Sequence, residues 1–185
     1  MSLTKLITSK KTVFSVEDLS KIFNINNRNY LKVLLLRMLK RKELVRIRRG
    51  IYSYTNEYNR FELANKLKRP SYVSFERILY DNGVIFQDSS NKITSISNNS
   101  YFEKINKIDY QYFKIKNEIL YNPIGILIEK GARVALVERA ICDTIYLSKN
   151  YYFDNLNKIN KEKLLAISKI YNKRTKKEIE RICSI

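Results

Sequence analysis

Residues 15–54 read SVEDLSKIFNINNRNYLKVLLLRMLKRKELVRIRRGIYSY, and their pattern decides the fold of the first third of the chain. Ser15, followed three residues later by Asp18, has the spacing of a capping box, which marks a helix start. Apolar residues then recur at helical spacing as far as Phe23. The stretch therefore predicts a helix that begins at Val16, ends at Phe23 and is followed by an asparagine-rich break.

A second helix is predicted from about Arg28 to Lys40. Its buried face is marked by apolar residues at i, i+3, i+4 and i+7, which are Leu31, Leu34, Leu35 and Met38. The opposite face is mixed and carries Asn29, Val33, Leu36 and Lys40. The two apolar residues on that face either touch thymine methyl groups of DNA or pack on another segment or a second subunit.

After Glu43 the sequence period changes from helical to two, and Arg49-Gly50 supplies a turn, which together predict a β-hairpin. A short helix over residues 3–9 and a strand beginning at Phe14 complete the set. Helix, polar break, basic helix and basic hairpin is the order of elements in a winged helix-turn-helix. The sequence therefore predicts that fold for the N-terminal part of the chain.

The residue types in this part suit duplex DNA. The N-terminus of a recognition helix projects side chains into the major groove, where Arg28 can bond guanine and Asn29 can bond adenine through two hydrogen bonds. Arginines on the hairpin would lie against the phosphate backbone or in the minor groove. The predicted DNA contacts are Asn27, Arg28, Asn29, Lys32, Arg37, Lys40, Arg46, Arg48 and Arg49. The competing interpretation is that these charges only solvate a small domain.

The net charge of the chain is +18 and is unevenly distributed. Residues 1–60 carry 14 basic and 4 acidic side chains, whereas residues 61–150 have a net charge of +3 and residues 151–185 one of +5. Over half of the excess lies on the predicted helices and hairpin, so a polyanion is the natural partner. A membrane surface is the rival, but we find no apolar segment long enough to span a bilayer and no secretory signal.

Composition excludes several classes of function. The chain has no histidine, so Ser-His-Asp and Cys-His catalysis and imidazole metal sites cannot be built. The two cysteines, Cys142 and Cys183, fit neither a four-thiolate zinc site nor a disulfide framework, and Cys142 is expected to be a core residue. The four glycines provide neither a P-loop nor a dinucleotide-binding loop. We therefore expect no cofactor, no metal and a cytoplasmic location.

The polar stretch 55–60 is taken as the boundary between a winged helix-turn-helix domain over 1–56 and a second domain over 61–185. Helical and strand-like patterns are mixed in the second domain, which predicts the α+β class for the chain. The predicted helices and strands are 61–68, 75–80 with Ser74 as its N-cap, 92–97, 110–116, 124–128, 133–136 and 137–149.

A helical tail is predicted from about residue 155. Residues 161–171, KEKLLAISKIY, are amphipathic, and Thr175 with Glu178 has the form of a capping box for a last helix ending near Cys183. The basic side chains of this tail are interpreted as a solvated face rather than a second DNA contact.

Three stretches resemble the AbiEi-type antitoxins and related transcriptional regulators of type IV toxin–antitoxin systems. Residues 43–54, ELVRIRRGIYSY, resemble the end of that family's winged-helix domain, where an Arg-Gly-aromatic wing is typical. Residues 70–85, PSYVSFERILYDNGVI, resemble its segment of serine, short helix and glycine. Residues 133–147, RVALVERAICDTIYL, resemble a helix with a Glu, a following Ala and an Asp. Together the likeness covers roughly residues 13–148.

The resemblance implies a repressor, with no enzymatic activity, that binds inverted repeats in the promoter of its own operon. It also implies that the second domain neutralises a nucleotidyltransferase-like toxin encoded alongside, without a stable complex between the two. The family commonly has a glycine between recognition helix and wing, where this chain has Lys42 and Glu43.

Two other functions remain open at this point. A metal-dependent nuclease needs clustered carboxylates, for which the candidates are Asp109, Glu118, Glu129, Glu138 and Asp143, with Lys114, Lys116 or Lys130 nearby. The last two acids lie five residues apart on one helix and do not share a face, which counts against such a site. A protein-interaction module could use aromatic strands containing Tyr101, Phe102, Tyr110, Tyr112 and Phe113.

Overall fold

The structure, a computed structural model, describes residues 2–148 and 151–184. The elements of its first third are α1 (Ser2–Thr8), β1 (Val13–Ser15), α2 (Val16–Phe23), α3 (Arg28–Lys40), β2 (Val45–Arg48) and β3 (Ile51–Ser53). The three strands form an antiparallel sheet in the order β1-β3-β2. The predicted bounds of α2 and α3, the hairpin and the strand at Phe14 are therefore confirmed.

Side-chain caps set the bounds of α2 and α3. The backbone N–H of Asp18 donates to Ser15 Oγ at 3.2 Å, and that of Ser15 donates to Asp18 Oδ2 at 2.8 Å, which is the predicted capping box. Helix α2 is followed by its C-cap Asn24, whose φ of 56° is left-handed. The side chain of Asn27 then accepts from two backbone N–H groups of the first turn of α3.

A hydrophobic cluster, here called the N-terminal core, joins the three helices to the sheet. Its buried members are Leu6, Phe14, Leu19, Leu31, Leu35, Met38 and Leu44. Three of them come from the predicted inner face of α3, and Leu34 from the same face is half-buried beside them. The face assignment of α3 is therefore confirmed.

Two residues between α3 and β3 have positive φ. Gly50 closes the turn between β2 and β3 at a φ of 84°, a conformation that glycine adopts without a Cβ clash. Lys42 follows α3 at a φ of 58°. This lysine takes the left-handed conformation, which glycine adopts more readily.

The rest of the described chain alternates helices and strands around a larger sheet. The elements are α4 (Arg60–Leu67), β4 (Ser71–Val73), α5 (Glu76–Asp81), β5 (Lys92–Ser97), β6 (Tyr101–Ile105), β7 (Ile108–Lys114), α6 (Asn117–Leu120), β8 (Ile126–Glu129), β9 (Ala132–Ala135), α7 (Val137–Leu147), α8 (Lys161–Ser168) and α9 (Lys173–Cys183). The sheet order is β6-β7-β5-β4-β9-β8, with β4–β9 and β5–β7 parallel and the other pairs antiparallel. The predicted α+β class is confirmed.

Helix α7 is the most deeply buried helix of this second part. It contacts α5, α8 and α9, and every residue from Glu138 to Ile145 is buried. Cys142 is fully buried, as expected for a core residue. The sequence predicted that one side of α7 is buried. The other side is buried as well, because the tail helices fold back over it.

Two predicted helix caps are wrong. Ser74 was expected to cap a helix at Phe75, but its Oγ donates to Asp143 Oδ2 at 2.8 Å, and α5 begins one residue later. Thr175 lies inside α9, because Asn172 provides the cap instead and its Oδ1 accepts the Thr175 N–H at 2.9 Å. In both cases a good capping residue is present, but a partner distant in sequence or an earlier asparagine decides the helix start.

A buried carboxylate joins the first sheet to α4. Glu62 Oε2 accepts the backbone N–H of Thr12 at 2.7 Å and that of Val13 at 2.8 Å. Val13 and Ile51 of the first sheet belong to the larger hydrophobic core rather than to the N-terminal core. The polar stretch 55–60 is therefore not a free linker, since the residues on its two sides pack against each other.

A second polar bridge links α2 to α4 and makes stability depend on pH. Asp18 Oδ2 accepts hydrogen bonds from Lys66 Nζ and from the Ser15 N–H. Burial acts to raise the pKa of Asp18, but the hydrogen bonds from Lys66 and Ser15 outweigh it and lower the pKa. Folded Asp18 therefore binds a proton less tightly than the unfolded chain does. Its contribution to stability is present above about pH 4 and lost as the pH falls further.

We expect Asp18→Asn to cost about 1 kcal/mol of unfolding free energy at neutral pH, which is typical of a partly exposed ion pair. Between about pH 5 and pH 3, the variant should lose stability less steeply than the wild type. Urea unfolding at a series of pH values measures both effects. Glu57→Gln, which changes an exposed carboxylate, is the control. A variant that follows the wild-type pH curve would contradict the role given to Asp18.

Candidate nucleic-acid interface

The first turn of α3 presents two polar side chains to solvent. Arg28 and Asn29 are both exposed, and within residues 2–148 and 151–184 neither side chain has a recorded hydrogen bond or ion pair. Asn27 differs, because its Oδ1 is occupied as the helix cap at 3.0 and 3.1 Å. The amide nitrogen of Asn27 is the group left for another partner.

The backbone at this end of α3 is largely satisfied by its own cap. The N–H groups of Asn29 and Tyr30 donate to Asn27, and the N–H of Leu31 donates to the Asn27 carbonyl. Of the first-turn amides, the N–H of Arg28 therefore has no recorded acceptor in the described chain. An anion at this helix end would be held mainly by side chains, rather than by the row of free amides that an uncapped helix offers.

Three further cations continue along α3. Lys32, Arg37 and Lys40 are exposed, and the structure records no ion pair for them within the residues it describes. The sequence has no Asp or Glu from residue 19 to residue 42, so no neighbouring acid along the chain offsets these charges. The exposed side of α3 is therefore a cationic surface.

The hairpin divides its three arginines between two environments. Arg46 and Arg49 are exposed and have no recorded ion pair in the described part of the chain. Arg48 is half-buried, and its Nη1 donates to Glu103 Oε2 on β6. A register shift in the β2–β3 pairing falls between Arg46 and Arg48, where their environments diverge. Tyr101 donates to the same Glu103 oxygen at 2.6 Å, and this bond raises the pKa of Tyr101.

Arg48 is thus the member of the predicted DNA-contact set that is already bound by another part of the chain. Sequence reasoning missed its partner Glu103, which Tyr101 shares, because Glu103 lies 55 residues further along the chain. The alternation that places Tyr101 and Glu103 on one side of a strand was a weak available signal. The alternation does not show that Arg48 is the residue that contacts this side of the strand.

The exposed side of α3 also carries apolar side chains. Tyr30 is 58% exposed, Val33 44% and Leu36 51%. Val33 and Leu36 lie opposite the buried face, as predicted, and Tyr30 was not singled out from the sequence. Their exposure means that no segment of the described chain covers this part of the helix.

Two of the carboxylates considered for the alternative nuclease site have structural roles. Asp143 is fully buried beside Arg139, and burial raises the pKa of Asp143. Glu138 accepts a backbone N–H at the start of α8 at 3.3 Å. No group of three or more His, Cys, Asp or Glu residues in the described chain is placed to hold a metal ion.

The aromatic residues suggested as an interaction surface do not form one continuous surface. Tyr101 and Phe102 are exposed on β6, whereas Tyr110 and Tyr112 on β7 are almost fully buried. Tyr112 donates to the Ala64 carbonyl at 2.7 Å, so it joins β7 to α4. Packing therefore explains much of this aromatic pattern.

A bilayer crossing needs a long apolar helix, and no helix within the described residues has that length and character.

A comparison with known families finds a match for the N-terminal part of the chain. Residues 1–55 match the family described as "Transcriptional regulator, AbiEi antitoxin". A comparison with curated proteins gave no match. The resemblance to AbiEi-type antitoxins and regulators is therefore confirmed over residues 1–55, and it supports a general role as an antitoxin and transcriptional regulator. These residues contain α3 and the hairpin with all nine predicted DNA contacts.

Proposed function

We propose that this protein is a sequence-specific DNA-binding regulator without enzymatic activity. Residues 1–56 would act as a winged helix-turn-helix domain, with α3 as the recognition helix and the β2–β3 hairpin as the wing. Residues 61–185 would form a second, antitoxin-like domain. The observation that carries the proposal is the row of exposed, unpaired cations on α3, within the stretch that matches the regulator family.

The proposed mechanism separates affinity from specificity. Lys32, Arg37, Lys40, Arg46 and Arg49 would contact phosphates and release counterions, which strengthens binding to any duplex. Arg28 and Asn29, at the N-terminal turn of α3, would bond base edges in the major groove. Arg48 would contact DNA only after breaking its ion pair with Glu103.

We further propose that the protein represses its own operon from inverted repeats in the promoter, and that it acts in the cytoplasm. In a type IV system, the second domain would antagonise a nucleotidyltransferase-like toxin without forming a stable complex with it. Co-expression with a toxin of that kind encoded alongside tests this role, since rescued growth without co-purification is the expected pattern. Magnesium-dependent cleavage of plasmid DNA by the pure protein would contradict the non-enzymatic role.

The hairpin is tested by the salt dependence of DNA binding. We expect Arg46→Ala and Arg49→Ala each to weaken binding to all duplexes and to reduce the log–log salt slope by about 0.9, as the loss of one phosphate contact does. Arg48→Ala is the matched control from the same hairpin. It should change the slope less, because Glu103 already neutralises that guanidinium. Fluorescence anisotropy on a random-sequence duplex at several salt concentrations provides the slopes.

Two results of this experiment would change the proposal. Unchanged slopes in Arg46→Ala and Arg49→Ala would place the hairpin away from DNA and contradict its role as a wing. An equal reduction in all three variants would show that Arg48 exchanges Glu103 for phosphate when DNA binds.

A further inference from the structure

The outward face of α3 carries a regular stripe of four residues. Asn29, Val33, Leu36 and Lys40 follow at spacings of four, three and four, which places them along one side of the helix. The buried residues Leu31, Leu35 and Met38 lie on the other side. The stripe therefore reads, from the helix N-terminus, as one amide, two apolar side chains and one cation.

The charges around the stripe indicate which kind of partner binds this face of α3. Lys32 and Arg37 flank the apolar pair, and α3 contains no acidic residue. A second copy of this face would bring like charges together, which is unfavourable, whereas duplex DNA supplies phosphates on both sides of the major groove. The apolar pair is thus surrounded by groups that suit a DNA groove.

Within that groove, the apolar group on a base edge is the C5-methyl of thymine. We propose that Val33 and Leu36 contact thymine methyl groups, and that α3 therefore recognises a run of A·T base pairs. Asn29, one turn earlier, bonds adenine in the same run, since its amide matches the N6 and N7 positions. Asn29 and Val33 are about 6 Å apart along the helix axis, so both side chains can face the same stretch of a groove. This inference rests on the proposed function and names the class of DNA sequence that α3 would recognise.

The probe for the test is a duplex selected by the full-length protein from a randomised library, and we expect the selected sites to be rich in A·T pairs. Each thymine of the selected site is then replaced by deoxyuridine, which removes the methyl group and leaves base pairing unchanged. At the thymines under α3, the wild type should lose about fourfold in affinity per methyl. The same replacement in the flanking sequence should have no effect.

A matched variant separates a methyl contact from a general loss. Val33→Ala should bind the thymine probe about fourfold more weakly than the wild type does, and it should be insensitive to deoxyuridine at the position that Val33 faces. Leu36→Ala should behave in the same way at a neighbouring thymine. Both residues are exposed, so the variants should fold, which circular dichroism checks.

Several results would overturn the inference. Deoxyuridine could have no effect at any position, or Val33→Ala could lose equally on both probes. Sedimentation could also show a wild-type dimer that Val33→Ala and Leu36→Ala dissociate, which would assign this face to a second copy. Failure to select any duplex is a different outcome, because it would contradict the proposed function itself.

Discussion

Asp143→Ala is expected to lower the free energy of unfolding by about 3–5 kcal/mol, because it removes one partner of a buried ion pair. For a chain of this size the loss corresponds to a fall in Tm on the order of 10 °C. Asp143 and Arg139 are both fully buried, with Arg139 Nε 3.6 Å from Asp143 Oδ1. Without the carboxylate, the guanidinium would remain charged and buried with no counterion.

The hydroxyl groups around Asp143 add to this cost. Ser74 donates to the carboxylate at 2.8 Å, Tyr171 at 2.6 Å and Tyr72 at 3.1 Å. Tyr72 lies on β4, Ser74 directly follows that strand, and Tyr171 lies between α8 and α9, so a single carboxylate joins the sheet, α7 and the tail. Alanine would leave three buried hydroxyls without this acceptor, and each unpaired group is costly.

The matched control is Asp81→Ala. Arg77 and Asp81 form another i,i+4 arginine–aspartate pair, on α5, with Arg77 Nε 3.0 Å from Asp81 Oδ2, but both side chains are partly exposed. We expect this change to cost less than about 1 kcal/mol, as exposed pairs do. Thermal or urea unfolding gives both values. Similar costs for the two variants would show that Asp143 is not the centre of a buried network.

Asn29→Ala is expected to reduce affinity for a selected operator by about tenfold or more, because a bidentate contact to adenine accounts for 1–3 kcal/mol of discrimination. Affinity for random-sequence DNA should hardly change. Asn29 is exposed and makes no recorded side-chain bond among the described residues, so stability should also remain unchanged. Arg28→Ala should weaken operator binding similarly and also weaken non-specific binding, since it removes a positive charge.

Asn26→Ala provides the control for this change. Asn26 is also an exposed asparagine, but it lies in the break before α3 and outside the cap. Its replacement should leave the ratio of operator to random-sequence affinity as in the wild type. Equal losses of Asn29→Ala on operator and random DNA would remove Asn29 from base recognition. Asn27→Ala is less informative, because loss of the cap costs about 1 kcal/mol of stability.

The N-terminal part could be predicted closely because its signals are local. The Ser15–Asp18 capping box, the asparagine break and the Arg49-Gly50 turn act within a few residues of the elements that they define. The same is true of the helical spacing that separates the buried and exposed sides of α3. Here the local preferences and the tertiary packing agree, so the sequence pattern was sufficient.

Two of the misses involve partners far apart in the chain. Ser74 looks like a helix cap in its local sequence, but it bonds Asp143, 69 residues away. Arg48 looks like a free wing residue, but Glu103 lies opposite it in the fold. A single sequence shows the donors and acceptors without showing which of them meet. Because Arg139 and Asp143 are four residues apart in an apolar helix, their pairing with each other was the inferable part of the network.

The carboxylate of Glu62 has a consequence for dividing the protein into fragments. A peptide ending at residue 56 would lack Glu62, which leaves the amides of Thr12 and Val13 without their acceptor. It would also expose Val13 and Ile51 to solvent, because in the intact molecule these residues pack largely against the second part of the chain. Residues 1–56 therefore lack full structural autonomy. A severed version should be less stable and more prone to associate than the same residues within the whole protein.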